Sequence, residues 1–205
     1  MEEATPGGTG SPAPAVSYSR ITPEGSWLVR RICAVLVSAW LGGIVLVSLG
    51  APAVFRAGEV VLRHPAAPYA SMLRQIPAEQ MGDFLRYHAG EANNQMFAVW
   101  GTIQVVYSVA LCLLLLFFTN VGKTRLGLAG ALLLLALFMK FYLIPAVAET
   151  SRLFRAGGLA DIGRRFQLLH GAFAAFEAAS AILGLALLWL LLGGSRSAGR
   201  RRSAG

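Results

Sequence analysis

Charged side chains punctuate this chain at long intervals. None occurs between Arg31 and Arg56, nor between Glu91 and Lys123, and each interval exceeds the ~20 apolar residues an α-helix needs to cross hydrocarbon. A third apolar run, from about Leu126 to Ala148, is interrupted only by Lys140. A fourth, from about Phe166 to Leu192, is interrupted only by His170 and Glu177. The pattern predicts four spans, an all-α integral membrane four-helix bundle. No internal repeat and no period-two strand pattern accompanies them.

The connections are unequal. Residues 56 to 91 are too charged to span; Pro77 followed by Met81, Phe84, Leu85 and His88 at spacings of three and four predicts an amphipathic helix at the interface, leading into the second span. The third connection is short and carries a Gly157-Gly158 break. Residues 1–29 read as a disordered tail rich in Pro, Gly, Ser and Ala, residues 30–194 as the four-span domain, and residues 195–205 as a basic disordered tail. The first span is expected to persist in the mature protein, because the segment before it opens with Glu2 and Glu3 and has neither a compact basic start nor a small-residue cleavage pattern.

Composition agrees: 56% of residues are hydrophobic and only 14% charged, against ~25% charged in soluble domains. The formal charge of +8 would suggest nucleic acid in a soluble protein. Here the basic residues flank spans, so anionic lipid headgroups are the expected partner and nucleic acid is not. Nine Lys and Arg fall on the side of the termini and eight on the other. Arg30, Arg31, Lys123, Arg125 and Arg200 to Arg202 lie in short flanks, where the positive-inside rule applies best, and favour both termini in the cytoplasm. Abundant Ala, Gly, Arg and Leu hint at a GC-rich bacterial source and hence an inner (plasma) membrane. Cys33 and Cys112 offer no disulfide framework and read as packing thiols.

Lipid is as apolar as leucine, so small and polar residues mark the faces on which spans pack. At helical spacing these are Ala39, Gly43 and Gly50 in span one; Glu91, Asn94, Ala98, Gly101, Gln104 and Ser108 in span two; His170, Ala174, Glu177, Ala181 and Gly184 in span four. Trp27 and Trp189 suit an interfacial belt, whereas Trp40 and Trp100 read as packing.

An ionisable residue inside a span costs about 2.5–3.5 kcal/mol on insertion scales, which makes it a functional candidate by default. Lys140 lies nine residues before Glu149, ~13 Å at helical rise, and Glu177 lies seven after His170, ~10 Å. The two depths match well enough for a Lys140–Glu177 pair across neighbouring helices. The competing arrangement is separate satisfaction: a lysine stem that snorkels and a glutamate that stays neutral.

Nearer the surface, Tyr142, Pro145, Glu149 and Arg152 share one side of span three, and Pro145 should kink that helix. Lys140 and Glu149 face opposite ways on a straight helix, so only the kink would bring both to one cavity. His170 opens span four at that surface, and His88, Glu91 and Asn94 open span two there. Together these residues predict a polar mouth built from three helices, the alternative being a solvated rim of charges. His88 and His170 are also the candidate ligands for a metal or a haem, although the doubled Glu-x-x-His of di-iron bundles is absent. No Gly-rich phosphate loop, nucleophile elbow or zincin motif occurs.

Trp40 and Gly42 with the following "APAVF", Pro145 with Arg152 at the end of span three, and Phe166, His170 and Gly171 at the start of span four resemble the transmembrane-protein-205-like family of four-span membrane domains over residues 30–192. The family is similar in turn to CopD-type copper-resistance membrane domains. The resemblance implies a four-helix architecture and an integral membrane location, and brings no established activity; Glu177 stands where some members carry asparagine.

The function these readings favour is a non-enzymatic module whose polar interior binds, senses or passes a small solute, proton or lipid. Lys140, Glu177, His170, Glu149, Arg152, Tyr142, Glu91 and Asn94 are its candidate binding residues. One rival is a membrane redox protein holding haem b or copper through His88 and His170. The other is a structural subunit that packs against a membrane-protein partner or a second copy of itself.

Overall fold

A computed structural model describes residues 23–67, 70–71, 75–119, 122–155 and 160–193. Five α-helices make up the four expected spans: α1 (Pro23–Arg63), α2 (Ala78–Phe118), α3 (Lys123–Phe138), α4 (Ile144–Arg155) and α5 (Ala160–Gly193). A π-helical turn, Met139–Leu143, joins α3 to α4, so these two form the third span. All four spans are long and apolar enough to cross a membrane, and there is no strand among the described residues.

Local chemistry sets the helix ends. Pro23 and Glu24 open α1, where a fixed φ and an acidic side chain both favour a helix N-terminus. That start lies within the segment expected to be tail; residues 1–22, the Arg200 to Arg202 triplet and the Gly157-Gly158 break fall outside the described residues. Pro77 caps α2, and the amphipathic stretch beginning there is continuous with the second span rather than separate from it. At the far end Thr119 is extended, and its hydroxyl donates to the Leu115 carbonyl at 2.7 Å.

The third span departs from a regular helix just before its proline. Pro145 has no N–H to offer, and the Ile144 N–H reaches five residues back to the Met139 carbonyl. The irregularity expected at Pro145 thus takes the form of a π turn, which turns everything after it by ~100° about the helix axis.

In the bundle α1 packs on α2 and α5, and the third span packs on the same two, so α2 and α5 face each other across the diagonal. The interior holds two apolar clusters. One lies toward the termini and includes Cys33, Val37, Trp40, Leu111, Leu132 and Leu187. The other lies toward the opposite ends and centres on Met139, Leu143, Val147 and Phe173. Outside, large apolar side chains such as Leu46, Leu134, Phe141 and Ile182 are exposed, as lipid permits and water would not. Trp27 and Trp189 are exposed too, whereas Trp40 and Trp100 are buried.

Small residues set the helix separations. The Trp100 indole occupies the space a Cβ at Gly43 would need, Gly101 lies against Ile144 and Lys140, and Gly184 against Leu41 and Val37. The expected stripe is buried in α2 through Gly101, Gln104 and Ser108, whereas those of α1 and α5 hold only in part. Ala39 in α1 and Ala174 in α5 are exposed; the buried line of α5 runs through Phe173, Glu177, Ser180, Gly184 and Leu187. A continuous spacing of three and four fits several adjacent stripes, and here the larger Phe173 takes the interior.

Candidate functional site

Between the two apolar clusters lies a polar layer. Glu177 is the eighteenth of the 34 residues of α5, at the middle of its span, and is buried. Gln104, across the diagonal on α2, donates its Nε2–H to both carboxylate oxygens at 3.0 and 3.1 Å, and Trp100 Nε1–H donates to Oε1 at 3.1 Å. Trp100 and Gln104 are one helical turn apart, so both donors leave one face of α2. Ser108 and Ser180, also buried, complete the layer; the Ser108 hydroxyl donates to the Gln104 and Val105 carbonyls of its own helix.

The layer has more acceptors than donors. Gln104 Oε1 is buried with no hydrogen-bond partner, and turning the amide over would set that oxygen against the carboxylate. No Lys, Arg or His forms an ion pair with Glu177 among the described residues. A cavity of about 380 Å³ between α1 and α5 reaches this carboxylate, with Ser48 and Pro52 on one wall and His170, Phe173 and Ala174 on the other. Pro52 lacks the N–H that would bond the Ser48 carbonyl, which leaves a further acceptor beside the cavity. Asn93, missed by the sequence reading, donates to the adjacent Ala51 carbonyl at 3.0 Å.

Lys140 does not pair with Glu177. Its ammonium donates to the Ala98 carbonyl at 2.8 Å and to the Thr102 hydroxyl at 2.7 Å, on the outer seam between α2 and the third span. The depths are compatible, as expected, but the two side chains leave the bundle in different directions: one into the diagonal layer, the other into the seam. Separate satisfaction prevails because a backbone carbonyl and a hydroxyl are nearer to hand than a carboxylate on a helix beyond.

The mouth assembles in part. Glu91 accepts from Arg152 through Nε (3.1 and 3.2 Å) and Nη2 (2.9 Å), from Arg155 Nη2 at 2.7 Å and from Asn94 Nδ2 at 3.2 Å. Arg155 was not among the expected residues; it lies against Gly90, where no side chain obstructs it, and over the Tyr87 ring. His170 stacks on Phe166 with centroids 5.7 Å apart and shares a small cavity of about 10 Å³ with Asn94. Tyr142 and Glu149 do not join them: Tyr142 is exposed and stacked on Phe138, and Glu149 is exposed. The π turn is the reason. It rotates Arg152, rather than Glu149, into line with Lys140.

His88 is exposed, packs edge-on against Phe84 of its own helix, and lines neither cavity that His170 lines. Among the described residues no group of three or more His, Cys, Asp or Glu side chains is arranged to hold a metal ion.

Fold and site define the class: an all-α, multi-pass integral membrane protein with a buried polar layer across its bundle. No family model, curated protein or solved structure matches the chain at a significant level.

Proposed function

We propose that the protein is a non-enzymatic membrane module that binds a small solute able to donate hydrogen bonds or carry positive charge, protons included, at Glu177. The observation that carries this reading is the uncompensated carboxylate of Glu177, a residue that lines the α1–α5 cavity, within a layer that has more acceptors than donors. A carboxylate with no cationic partner stands beside an amide oxygen with no partner at all, and an unmet buried polar atom costs ~1–3 kcal/mol. A cation, an N–H or a proton entering there would meet that need; an anion would not. His170 lines the outer part of the same cavity and is assigned the role of relay or gate. With both termini in the cytoplasm, the cavity would open toward the outer side. The four-span resemblance noted above is consistent with this reading and adds no ligand.

The test is infrared difference spectroscopy of the full-length protein in liposomes, with pH steps in the presence and absence of methylammonium. A protonated-carboxyl band that vanishes in Glu177→Gln, and that methylammonium suppresses in the unmutated protein, is the expected result. Spectra identical for the two proteins under all conditions would refute the assignment.

A further inference from the structure

The second unusual group, Lys140, faces a different environment. A lysine ammonium has three N–H donors, and two are used, on neutral acceptors. The Thr102 hydroxyl gives its own hydrogen to the Ala98 carbonyl at 3.0 Å, leaving a lone pair for the ammonium. No carboxylate among the described residues pairs with it: Glu177 is held by Trp100 and Gln104, and Glu91 by Arg152 and Arg155. Ala98 lies seven residues beyond Glu91 on α2, so the ammonium sits ~10 Å below the level of that charge cluster.

A groove of about 410 Å³ leads to it along the seam, with Arg152 at its upper end and Phe141, Ile144 and Pro145 among its walls. Gln95, Phe141 and Pro145 are exposed, so the groove lies on the outer, lipid-facing surface of the bundle. Twelve residues separate Lys140 from Arg152, ~18 Å at helical rise. On a straight helix they would diverge by ~120°, and the π turn removes ~100° of that, which is how one groove comes to hold both.

We propose that this groove takes a long-chain monocarboxylate from the bilayer, with its carboxylate on Lys140 and its chain along the apolar wall. Charge complementarity selects the occupant. One uncompensated positive charge matches one carboxylate, and an ion pair at this depth gains strength from the low dielectric that makes the lone ammonium costly. A phospholipid phosphate carries the same single charge but is a poorer match: it brings two chains and a bulky polar headgroup, which would have to follow the phosphate ~10 Å below the level of the Glu91 cluster to reach Lys140. The inference is independent of the Glu177 cavity.

Nitroxide-labelled stearate, with labelled phosphatidylcholine and phosphatidylglycerol for comparison, would be added to the full-length protein in nanodiscs, and the immobilised fraction read by electron paramagnetic resonance. Stearate should be selected over both phospholipids; Lys140→Met should weaken that selectivity by about tenfold, and Lys140→Arg should retain most of it. Gln95→Trp, which fills the groove from an exposed position and leaves the lysine in place, should also abolish it, and serves if Lys140→Met does not fold. Equal immobilisation of stearate and phosphatidylcholine, selectivity for phosphatidylglycerol matching that for stearate, or selectivity surviving Gln95→Trp would overturn the proposal.

Discussion

Gln104 and Glu177 are hydrogen-bonded across the diagonal of the bundle, at 3.0 and 3.1 Å, although the backbones of the helices that carry them are not adjacent. With the Trp100–Glu177 bond and the edge-on contact of Phe97 with Phe173, this contact joins opposite corners of the bundle at mid-membrane.

Its strength can be read from a double-mutant cycle. Membrane hydrogen bonds average ~0.6 kcal/mol and reach ~1.7, and a charged acceptor raises the value. Gln104→Leu and Glu177→Leu should each destabilise the protein by about 1–2 kcal/mol in SDS-titration unfolding, while the double mutant should lose clearly less than their sum. Ser108→Ala should be nearly silent, because its hydroxyl bonds only carbonyls of its own helix. Additive losses for Gln104 and Glu177 would mean that the layer is not held by this contact.

Adjacent glycines in α1 should behave oppositely. A Cβ on Gly42 meets nothing within 4 Å, whereas one on Gly43 collides with the Trp100 ring. That ring cannot yield cheaply, since its N–H is engaged by Glu177. Gly42→Ala should therefore be neutral or stabilise by up to ~1 kcal/mol, and Gly43→Ala should cost about 1–3 kcal/mol from overpacking. Side-by-side unfolding of the two variants checks this. Equal effects would show that Trp100 is free to move.

The spans were legible because hydrocarbon excludes charge over a fixed length, and a sequence records where charges are missing. The interior polar residues were half legible. Glu177 stood out by its charge, Gln104 only as one polar member of a packing stripe, and Trp100 read as packing, although its position one turn from Gln104 set two N–H donors on one face. For Lys140 the sequence left a pair with Glu177 and separate satisfaction both open, because the partner is the carbonyl of Ala98, an acceptor that every residue carries and no residue type announces. The exclusion of Glu149 and the inclusion of Arg152 depended on a π turn that inserts one residue's worth of rotation. Pro145 hinted at an irregularity without revealing its sense. Arg155 was overlooked because what admits it is an absence, the missing side chain of Gly90.

The cluster on Glu91 yields a graded prediction. One carboxylate serves two guanidinium groups, but their environments differ: Arg152 is 59% exposed and Arg155 only 17%. Exposed ion pairs contribute ~0–1 kcal/mol, and desolvated ones cost more when broken. Arg152→Gln should leave stability nearly unchanged, and Arg155→Gln should lower it by about 1–2 kcal/mol. Glu91→Gln should be worse than either, because it leaves two cations facing each other. Gly90→Ala should imitate Arg155→Gln, since its methyl group occupies the guanidinium's place, and combining the two should add little. The loss in Arg152→Gln should shrink in high salt while that in Arg155→Gln persists, because screening acts on the exposed pair first. Unfolding titrations at low and high ionic strength decide the matter, and a larger loss at Arg152 than at Arg155 would contradict the burial on which the ranking rests.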